Sequence, residues 1–325
     1  MHIYRSLDEF PPGFCPSIAT IGNFDGVHCG HRWVIAEVIA RARALDLRSL
    51  AITFDPHPAR VLRPSVTLPL ITPLAQKLEL LGATGIDAAL VLPFDDIFSR
   101  MSAFTFADTV LKQTAHTTEV HEGENFRFGY QAEAGIDGLQ QLGAQLGFAV
   151  CIFAPQILRG QVVSSSRIRE RVDAGDINHA RALLGRPFSI DSTPAPGRGY
   201  GTKFTVPTIN LAPYTELLPA NGVYVTTLSV GVGPEAETFE AVTNVGNRPT
   251  FGAVPGTASF TVESHLLNFR PIDLDEATPL RLTFLKRLRA EIQWSSPDAL
   301  RTQIGLDVAR AHRYFRLARI FAVSI

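Results

Sequence analysis

Two histidines, His28 and His31, close a glycine-punctuated turn near the start of the chain. An apolar run precedes Gly22, and Gly26 and Gly30 allow the backbone to bend tightly or to lie close to a ligand. A helix that begins near His31 would direct its free N–H groups, together with the two imidazoles, at one anion-sized site. The spacing therefore predicts a triphosphate site. Two loop histidines beside an ordinary strand-to-helix turn are the alternative.

A serine run, Ser164 to Ser166, opens a second predicted helix with Arg169 one turn inside it. Serine hydroxyls at a helix start usually accept hydrogen bonds from free backbone N–H groups, so capping alone explains the run. The same hydroxyls, free N–H groups and an arginine can also hold phosphate oxygens. From the residues alone, capping and phosphate binding by Ser165, Ser166 and Arg169 both stay open.

Two further stretches carry polar groups in suggestive positions. From Gly123 to Gly129, two phenylalanines flank an arginine, which without context favours a loop that folds its aromatic rings into the core. In the second half of the chain, Thr208 and Asn210 are two residues apart. On an extended backbone they point to the same side and can face one magnesium-phosphate group, although a turn at a strand edge explains them equally well.

Taken together, these motifs resemble those of bacterial bifunctional riboflavin kinase/FAD synthetase. The string from Gly22 to His31 also resembles the nucleotide-binding signature of the nucleotidylyltransferase superfamily. Gly123–Gly129 matches the family pattern GxxFxFG, and Ser164–Arg169 matches SSTxIR with a serine in place of threonine. Three later matches occur in order, to the patterns PTAN, NxGxRPTF and ExHLLDF, at Pro207–Asn210, Asn244–Phe251 and Glu263–Phe269.

This resemblance implies a bifunctional enzyme that uses ATP and Mg²⁺, with riboflavin, FMN and FAD as its flavin ligands. In the N-terminal half the FMN phosphate attacks the ATP α-phosphorus, while His28, His31 and Arg169 hold the triphosphate. The residues implied to contact ATP or flavin there are Gly22, Phe24, Asp25, Asn125, Ser165 and Ser166. In the C-terminal half Glu263 is implied to be the general base for riboflavin phosphorylation, with a solvated strand glutamate as the alternative. Thr208 and Asn210 are implied to bind ATP and magnesium.

The chain departs from the family pattern in the kinase half. Family kinases usually have an arginine and a glycine where Thr202 and Thr205 stand. Gly197–Gly199 and Lys203 could restore flexibility and charge to a phosphate loop there. One alternative is therefore an FAD synthetase whose barrel only holds flavin. A non-catalytic flavin sensor and a lipid-precursor or pantetheine nucleotidylyltransferase are further alternatives. The pyrophosphate-binding residues disfavour the sensor, and the barrel motifs disfavour other nucleotidylyltransferases.

Two kinds of elements must position these residues. Strand and helix patterns alternate up to about Leu184, which predicts a Rossmann-like domain with a parallel sheet and helices on both faces. Ligands bind at the carboxyl ends of the strands in such sheets. Beyond Gly185, short β-rich runs with glycine and proline between them predict an antiparallel β-barrel, followed by an amphipathic helix over Ser296–Ala318. We therefore predict an α/β chain with domains at residues 1–185 and 186–325.

Composition narrows the class of protein. With 325 residues, 46% of them hydrophobic and 19% charged, the chain is long enough for two globular domains. A net charge of −1 predicts no general attraction to nucleic acid or to a membrane surface. The three cysteines are widely scattered, which argues against a disulfide framework or a zinc knuckle. Without a signal-like or membrane-length apolar run, we expect a cytoplasmic protein, and the oligomeric state stays open.

Overall fold

The computed structural model describes residues 1–11, 14, 16–195, 208–248, 259–293 and 295–322. The chain divides into two compact units, Met1–Ser165 and Ser166–Ile325. The functional boundary at 185/186 stays a prediction. No helix in the described ranges has both the length and the apolar composition that a membrane crossing requires.

The first unit alternates strands and helices, as the sequence pattern predicts. Its strands are β1 (His2–Tyr4), β2 (Ser17–Ile21), β3 (Arg48–Asp55), β4 (Ala88–Pro93), β5 (Thr117–Gly123), β6 (Ala149–Phe153), β7 (Ile157–Leu158) and β8 (Gln161–Val162). Its helices are α1 (Cys29–Ala44), α2 (Pro58–Leu62), α3 (Leu74–Gly82), α4 (Ala103–Phe106) and α5 (Ile136–Leu146). A π-helical segment, Ala107–Thr114, continues α4, and α6 (Ser165–Asp173) begins at the last residue of the unit.

Six of these strands form one parallel sheet in the order β1-β4-β3-β2-β5-β6. The strands at its centre are apolar runs buried on both faces, as parallel strands between helix layers must be. One face packs against α1 and α3 through Ile35 and Leu81, and the other against the α4–π segment and α5 through Val110 and Leu139. From β2 the chain proceeds outward to β3, whereas β5 lies on the other side of β2. The crevice between the carboxyl ends of β2 and β5 is therefore the switch point where ligands bind in such sheets.

The second unit is built around an antiparallel sheet. After α6 come α7 (Ile177–Leu184), β9 (Phe188–Ser192), β10 (Thr208–Asn210), β11 (Gly222–Val230), β12 (Glu237–Arg248), β13 (Ser259–Leu266), β14 (Leu280–Ala290) and α8 (Pro297–Ala322). The sheet has the order β10-β13-β12-β11-β14-β9. The two edge strands, β9 and β10, are linked just beyond their ends by an isolated bridge between Pro194 and Leu211. In addition, the backbone N–H of Ala195 donates to Asn210 O at 2.8 Å. The sheet is thus curled into a barrel, as predicted.

The two faces of this curled sheet are packed differently. On one face the rings of Phe188, Tyr224 and Phe284 are fully buried and in contact. On the other, Val223 and Val242 share a cluster with residues of α8. The predicted terminal helix is therefore present, and it covers the outer face of the barrel.

Several first-unit elements were not predicted from the sequence, and β1 and α5 show why. Strand β1 is three residues long and lies at a sheet edge. Helix α5 contains Gly138 and Gly143, which lower helix propensity. Gly143 has a packing cause: a Cβ there would lie 2.6 Å from Phe148 O. The close approach of the following chain is a tertiary requirement that no local pattern reveals.

A buried carboxyl group joins β2 to β5 where the two strands diverge. Their pairing ends at Ala19 and Val120. Beyond that point the Glu122 carboxyl group accepts hydrogen bonds from the backbone N–H of Ile21 and, at 3.3 Å, from the Thr20 hydroxyl. Burial of this carboxyl raises its pKa to about 8, against the lowering effect of those hydrogen bonds. Glu122 is therefore a neutral acid at pH 7, and it fixes the carboxyl end of β2.

We predict that Glu122→Gln flattens the pH dependence of stability. Between pH 4.5 and about 8 the unfolded chain releases the Glu122 proton while the folded chain keeps it, so folding stability falls as pH rises through this window. A neutral amide avoids this loss, which is on the order of a few kcal/mol. Urea unfolding at pH 5 and pH 8 should show a smaller decrease for the variant than for the wild type.

The matched control is Glu124→Gln, which changes an exposed glutamate two residues away. Its pH dependence should follow the wild type. Equal slopes for Glu122→Gln and the wild type would show that this carboxyl does not titrate as described.

Candidate active sites

A cavity of about 230 Å³ lies at the switch point of the parallel sheet. It is lined by the loop after β2, the start of α1 and the segments that follow β5 and β6. Among the lining residues are Gly22, Phe24, His28, His31, Trp33, Glu122, Asn125, Phe126, Phe153 and Val163. The structure thus places five residues of the predicted turn, Gly30 among them, and the predicted Asn125 around one cavity.

His28 and His31 form a stacked pair at the N-terminus of α1. His28 is the N-cap residue, and its Nδ1 accepts the backbone N–H of His31 at 3.2 Å. Because Nδ1 is an acceptor, the neutral ring carries its proton on Nε2. The two rings lie 3.5 Å apart and nearly parallel. A Cβ on Gly30 would lie 3.3 Å from the His28 ring, so glycine leaves room for the stack.

His31 is held neutral within this pair. Burial lowers its pKa well below the usual value, and the neighbouring His28 and Lys77 lower it further. Its Nδ1 is buried and has no hydrogen-bond partner among the described residues. The first turn of α1 contains no acidic residue, so the positive end of the helix dipole is uncompensated. The site can therefore receive an anion through the neutral His31 imidazole, the Nε2–H group of His28 and the helix N–H groups.

The loop that carries these groups has an unusual backbone. Phe24, Gly26 and Val27 have φ values of 46°, 86° and 36°. Two of these residues carry side chains that disfavour the left-handed region, and such strain persists only where surrounding contacts over-determine it. Contacts with other segments of the chain must therefore stabilise the loop conformation.

The buried Asp25 carboxylate anchors the loop to the segment at Ile71 and Thr72. It is 2% exposed and accepts the backbone N–H groups of Ile71 and Thr72, both at 3.0 Å. The Thr72 hydroxyl in turn accepts the N–H of Gly26 at 2.9 Å. Ser165 donates its hydroxyl to Asp25 O at 2.8 Å. The side chains of Asp25 and Ser165 therefore stabilise the loop.

Phe24 braces the histidine pair. Its ring lies over Gly22, where a Cβ would be 3.1 Å away, and it contacts His31 edge-on with ring centroids 5.3 Å apart. Phe24, His31 and His28 thus form a continuous column of rings. The glycine at position 22 has a packing cause as well as the conformational one that the sequence suggests.

The Gly123–Gly129 stretch combines both interpretations that the sequence allows. The rings of Phe126 and Phe128 stack 5.3 Å apart and pack against the core. Asn125 is exposed and lines the cavity. The aromatic residues therefore anchor the loop and leave the amide available to a ligand.

Ser166 and Arg169 stand one turn apart on α6, Ser166 exposed and Arg169 half-buried. They belong to the second unit, whereas the cavity belongs to the first. Their part in triphosphate binding stays a prediction.

In the barrel, strand register brings the predicted kinase residues side by side. Asn210 on β10 pairs with Glu263 on β13, and Glu263 pairs with Asn244 on β12. Directly paired residues share a face, and Thr208 lies two residues from Asn210 on that same face. Because Asn244 also pairs with Val223, this is the face on which α8 packs. One carboxylate is thus flanked by two amides and a nearby hydroxyl.

Several sequence motifs fall outside the described residues. These are Pro207, the Gly197–Gly199 stretch, Thr202, Lys203 and Thr205, together with Pro249, Thr250 and Phe251.

The structure also gathers groups that sequence reasoning missed. Glu119, His121 and Cys151 place one potential metal-ligand atom each within 4.8 Å of the others. Arg41 donates three hydrogen bonds of 2.6–2.9 Å to the Glu119 carboxylate, which lowers the carboxyl pKa and satisfies its charge without a metal. Glu119 and His121 on β5 lie beside Cys151 on the adjacent strand β6. Because Cys151 is distant from them in sequence, no local motif indicated the cluster. Buried Glu122 and Lys77 were missed because charged residues are normally solvated.

Comparison with known proteins agrees with this two-part architecture. The FAD synthetase family model matches residues 13–167, and the riboflavin kinase family model matches residues 184–315. A Pseudomonas fluorescens protein named bifunctional riboflavin kinase/FMN adenylyltransferase is 34% identical, with 96% of this chain and 97% of the relative covered. A protein of the same name from Escherichia coli strain K12 is 30% identical, with 97% of both chains covered.

One solved structure supports the fold alone. A crystal structure described as a macrolide-efflux protein from Streptococcus pneumoniae superimposes with a TM-score of 0.82 at 23% identity, over 95% of this chain and 98% of that one. The two family models and the near full-length relatives are more informative about ancestry. On their strength, the chain belongs to the bifunctional riboflavin kinase/FMN adenylyltransferase family.

Proposed function

We propose that this chain carries out two consecutive steps of flavin cofactor synthesis. Riboflavin and ATP give FMN and ADP, and FMN and a second ATP then give FAD and pyrophosphate. We assign adenylyl transfer to residues 1–185 and phosphorylation to residues 186–325. The observation that carries the proposal is the cavity of the first unit, where the stacked His28–His31 pair stands at a helix N-terminus.

Adenylyl transfer needs positioning more than covalent chemistry. An oxygen of the FMN phosphate attacks the ATP α-phosphorus in line, and the bond to pyrophosphate breaks. His28 donates from Nε2 and α1 offers its free N–H groups, so both stabilise the charge that develops on the leaving pyrophosphate. His31 completes the same anion site. Ser166 and Arg169 would add a hydroxyl donor and a bidentate cation to the triphosphate.

The remaining predicted residues shape this site. Gly22 and Phe24 hold the histidine pair in place, while Asn125 offers an amide to the nucleotide or flavin from the cavity wall. Asp25 and Ser165 act through the loop conformation that they stabilise.

Phosphorylation of riboflavin requires a base for the ribityl hydroxyl. Glu263 is half-buried in the middle of the β10–β13–β12 row. It accepts the hydroxyl proton as the ribityl oxygen attacks the ATP γ-phosphorus, and ADP leaves. Asn210 and Asn244 lie on either side and can orient the carboxylate or the phosphate through their amides.

The donor set beside Glu263 suits a magnesium ion. Thr208 and Asn210 offer a hydroxyl and an amide oxygen on one face of β10, and a carboxylate is one strand away. Hard oxygen ligands of this kind are those that Mg²⁺ prefers, usually alongside substrate phosphates and water. A bound ion would neutralise charge on the ATP phosphates. We propose that Thr208 and Asn210 are its protein ligands.

Replacing one catalytic residue at a time should separate the two reactions. Glu263→Gln removes the base, so FMN formation from riboflavin should fall by about 10²–10⁴-fold while FAD formation from FMN is retained. His28→Ala removes a donor to the leaving group, so FAD formation from FMN should fall by about 10²–10³-fold while FMN formation is retained. Chromatography of products from riboflavin or FMN with magnesium and ATP measures both rates.

Glu276→Gln and His312→Ala change exposed residues of the same types and serve as controls. Wild-type protein that makes FAD from FMN but no FMN from riboflavin would limit the function to FAD synthesis. Absence of both products would contradict the proposal.

Asn210→Ala should weaken magnesium binding in the kinase reaction only. Loss of one oxygen ligand should raise the magnesium concentration for half-maximal riboflavin phosphorylation by about tenfold or more. The magnesium dependence of FAD formation from FMN should be unchanged. Asn178→Ala, at an exposed amide on α7, is the control. An unchanged kinase requirement would exclude Asn210 as a ligand.

A further inference from the structure

Lys77 on α3 is a buried lysine that the chemistry proposed above does not use. Its side chain is buried, and Nζ lies 3.2 Å from Asn23 O, 3.1 Å from Thr53 Oγ1 and 3.2 Å from Phe54 O. An ammonium group has three donors, so these three acceptors satisfy it completely. Burying a charge is unfavourable unless it is paired in this way, and such an arrangement calls for a reason.

The three acceptors identify what Lys77 joins. Asn23 is in the loop after β2, immediately before the left-handed Phe24, while Thr53 and Phe54 are at the carboxyl end of β3. The Thr53 hydroxyl also donates to Asn23 O, at 3.4 Å. Lys77 therefore links the strained loop to the neighbouring strand, and it is not among the residues that line the cavity.

The Lys77 charge also reaches the anion site. Burial lowers the pKa of Lys77, whereas Asp25 and Asp55 raise it. The ammonium is in turn one of the groups that lower the pKa of His31, after burial and His28. Lys77 thus adds a positive charge that acts on His31.

We propose that Lys77 is a positioning residue for adenylyl transfer. It holds the Asn23 carbonyl so that Phe24 braces His31, and its charge contributes positive potential at the triphosphate site. This inference rests on the proposed adenylyltransferase function. The side chain does not touch the reacting atoms, so its effect passes through the loop and through His31.

Two substitutions separate the geometric and the electrostatic contributions. Lys77→Met keeps an unbranched chain that is one atom shorter, and it removes both the donors and the charge. Lys77→Arg keeps the charge, but a planar guanidinium does not match three acceptors arranged around one nitrogen. We expect kcat for FAD formation from FMN to fall about 100-fold in Lys77→Met, because small displacements of positioned groups have effects of this size. Lys77→Arg should show a comparable loss of kcat.

Histidine NMR provides a readout that a purely structural role would not move. In Lys77→Met the His31 titration midpoint should move to higher pH, because a neighbouring cation has been removed, whereas in Lys77→Arg it should stay near the wild-type value. Asp25, Asp55 and His28 are unchanged in both variants. Riboflavin phosphorylation by the same preparations reports whether the chain is folded, and Lys112→Met, at an exposed lysine, is the control.

Thr53→Val offers a test that keeps the lysine. It removes one acceptor at a fully buried position with little change in shape, and we expect a smaller but measurable loss of kcat, about threefold to tenfold. If Lys77→Met does not fold, Lys77→Arg and Thr53→Val decide the question.

Three outcomes would overturn the inference: an unchanged kcat in the folded variants, equal loss of both activities, or an unmoved His31 titration in Lys77→Met. Wild-type protein that makes no FAD from FMN would instead refute the proposed function.

Discussion

The candidate adenylyltransferase site depends on one constraint, the left-handed backbone of the loop between β2 and α1. Phe24 and Val27 adopt φ values that side chains disfavour, and the surrounding hydrogen bonds have to offset that strain. The Asp25 carboxylate, the Thr72 hydroxyl and the Lys77 ammonium each hold a different point of the loop. These contacts keep the loop in the conformation that aligns the two imidazoles at the N-terminus of α1.

The parallel sheet gives this loop its location. Strands β2 and β5 separate at their carboxyl ends, and the crevice that opens there is where the cavity lies. Where the strand pairing ends, the neutral Glu122 carboxyl group accepts hydrogen bonds from the Ile21 backbone N–H and the Thr20 hydroxyl. A buried side chain thus takes the place of a paired strand as hydrogen-bond acceptor where the β2–β5 pairing ends. The same side chain lines the cavity.

In the barrel, regular strand pairing alone aligns the side chains of the candidate site. The proposed general base and magnesium ligands have to share one surface, and antiparallel register puts Asn210, Glu263 and Asn244 in a row across three strands. No strained backbone is needed among these paired residues, since regular pairing already aligns their side chains. Two reactions with different geometric demands are thus served by two sheet types in one chain.

The sequence by itself determined the fold class, because the spacing of apolar residues that marks a strand or a helix can be recognised within a short stretch of chain. The alternation of strand and helix patterns up to about Leu184 and the short β-rich runs after Gly185 were sufficient for this. It also indicated the family, because runs such as Gly22–His31 and Glu263–Phe269 are contiguous. The patterns of β1 and α5 are too weak to predict these elements. Gly143 is required in α5 because Phe148 approaches too closely for a side chain.

Only the tertiary structure decided the use of individual side chains. It showed that the Asp25 carboxylate faces backbone N–H groups, that His31 is neutral, and that Glu122 and Lys77 are buried with partners far away in sequence. A side chain's type states which hydrogen bonds and charges it can offer. Its burial and its partners depend on which distant segments the fold brings beside it, and these set its protonation and its role.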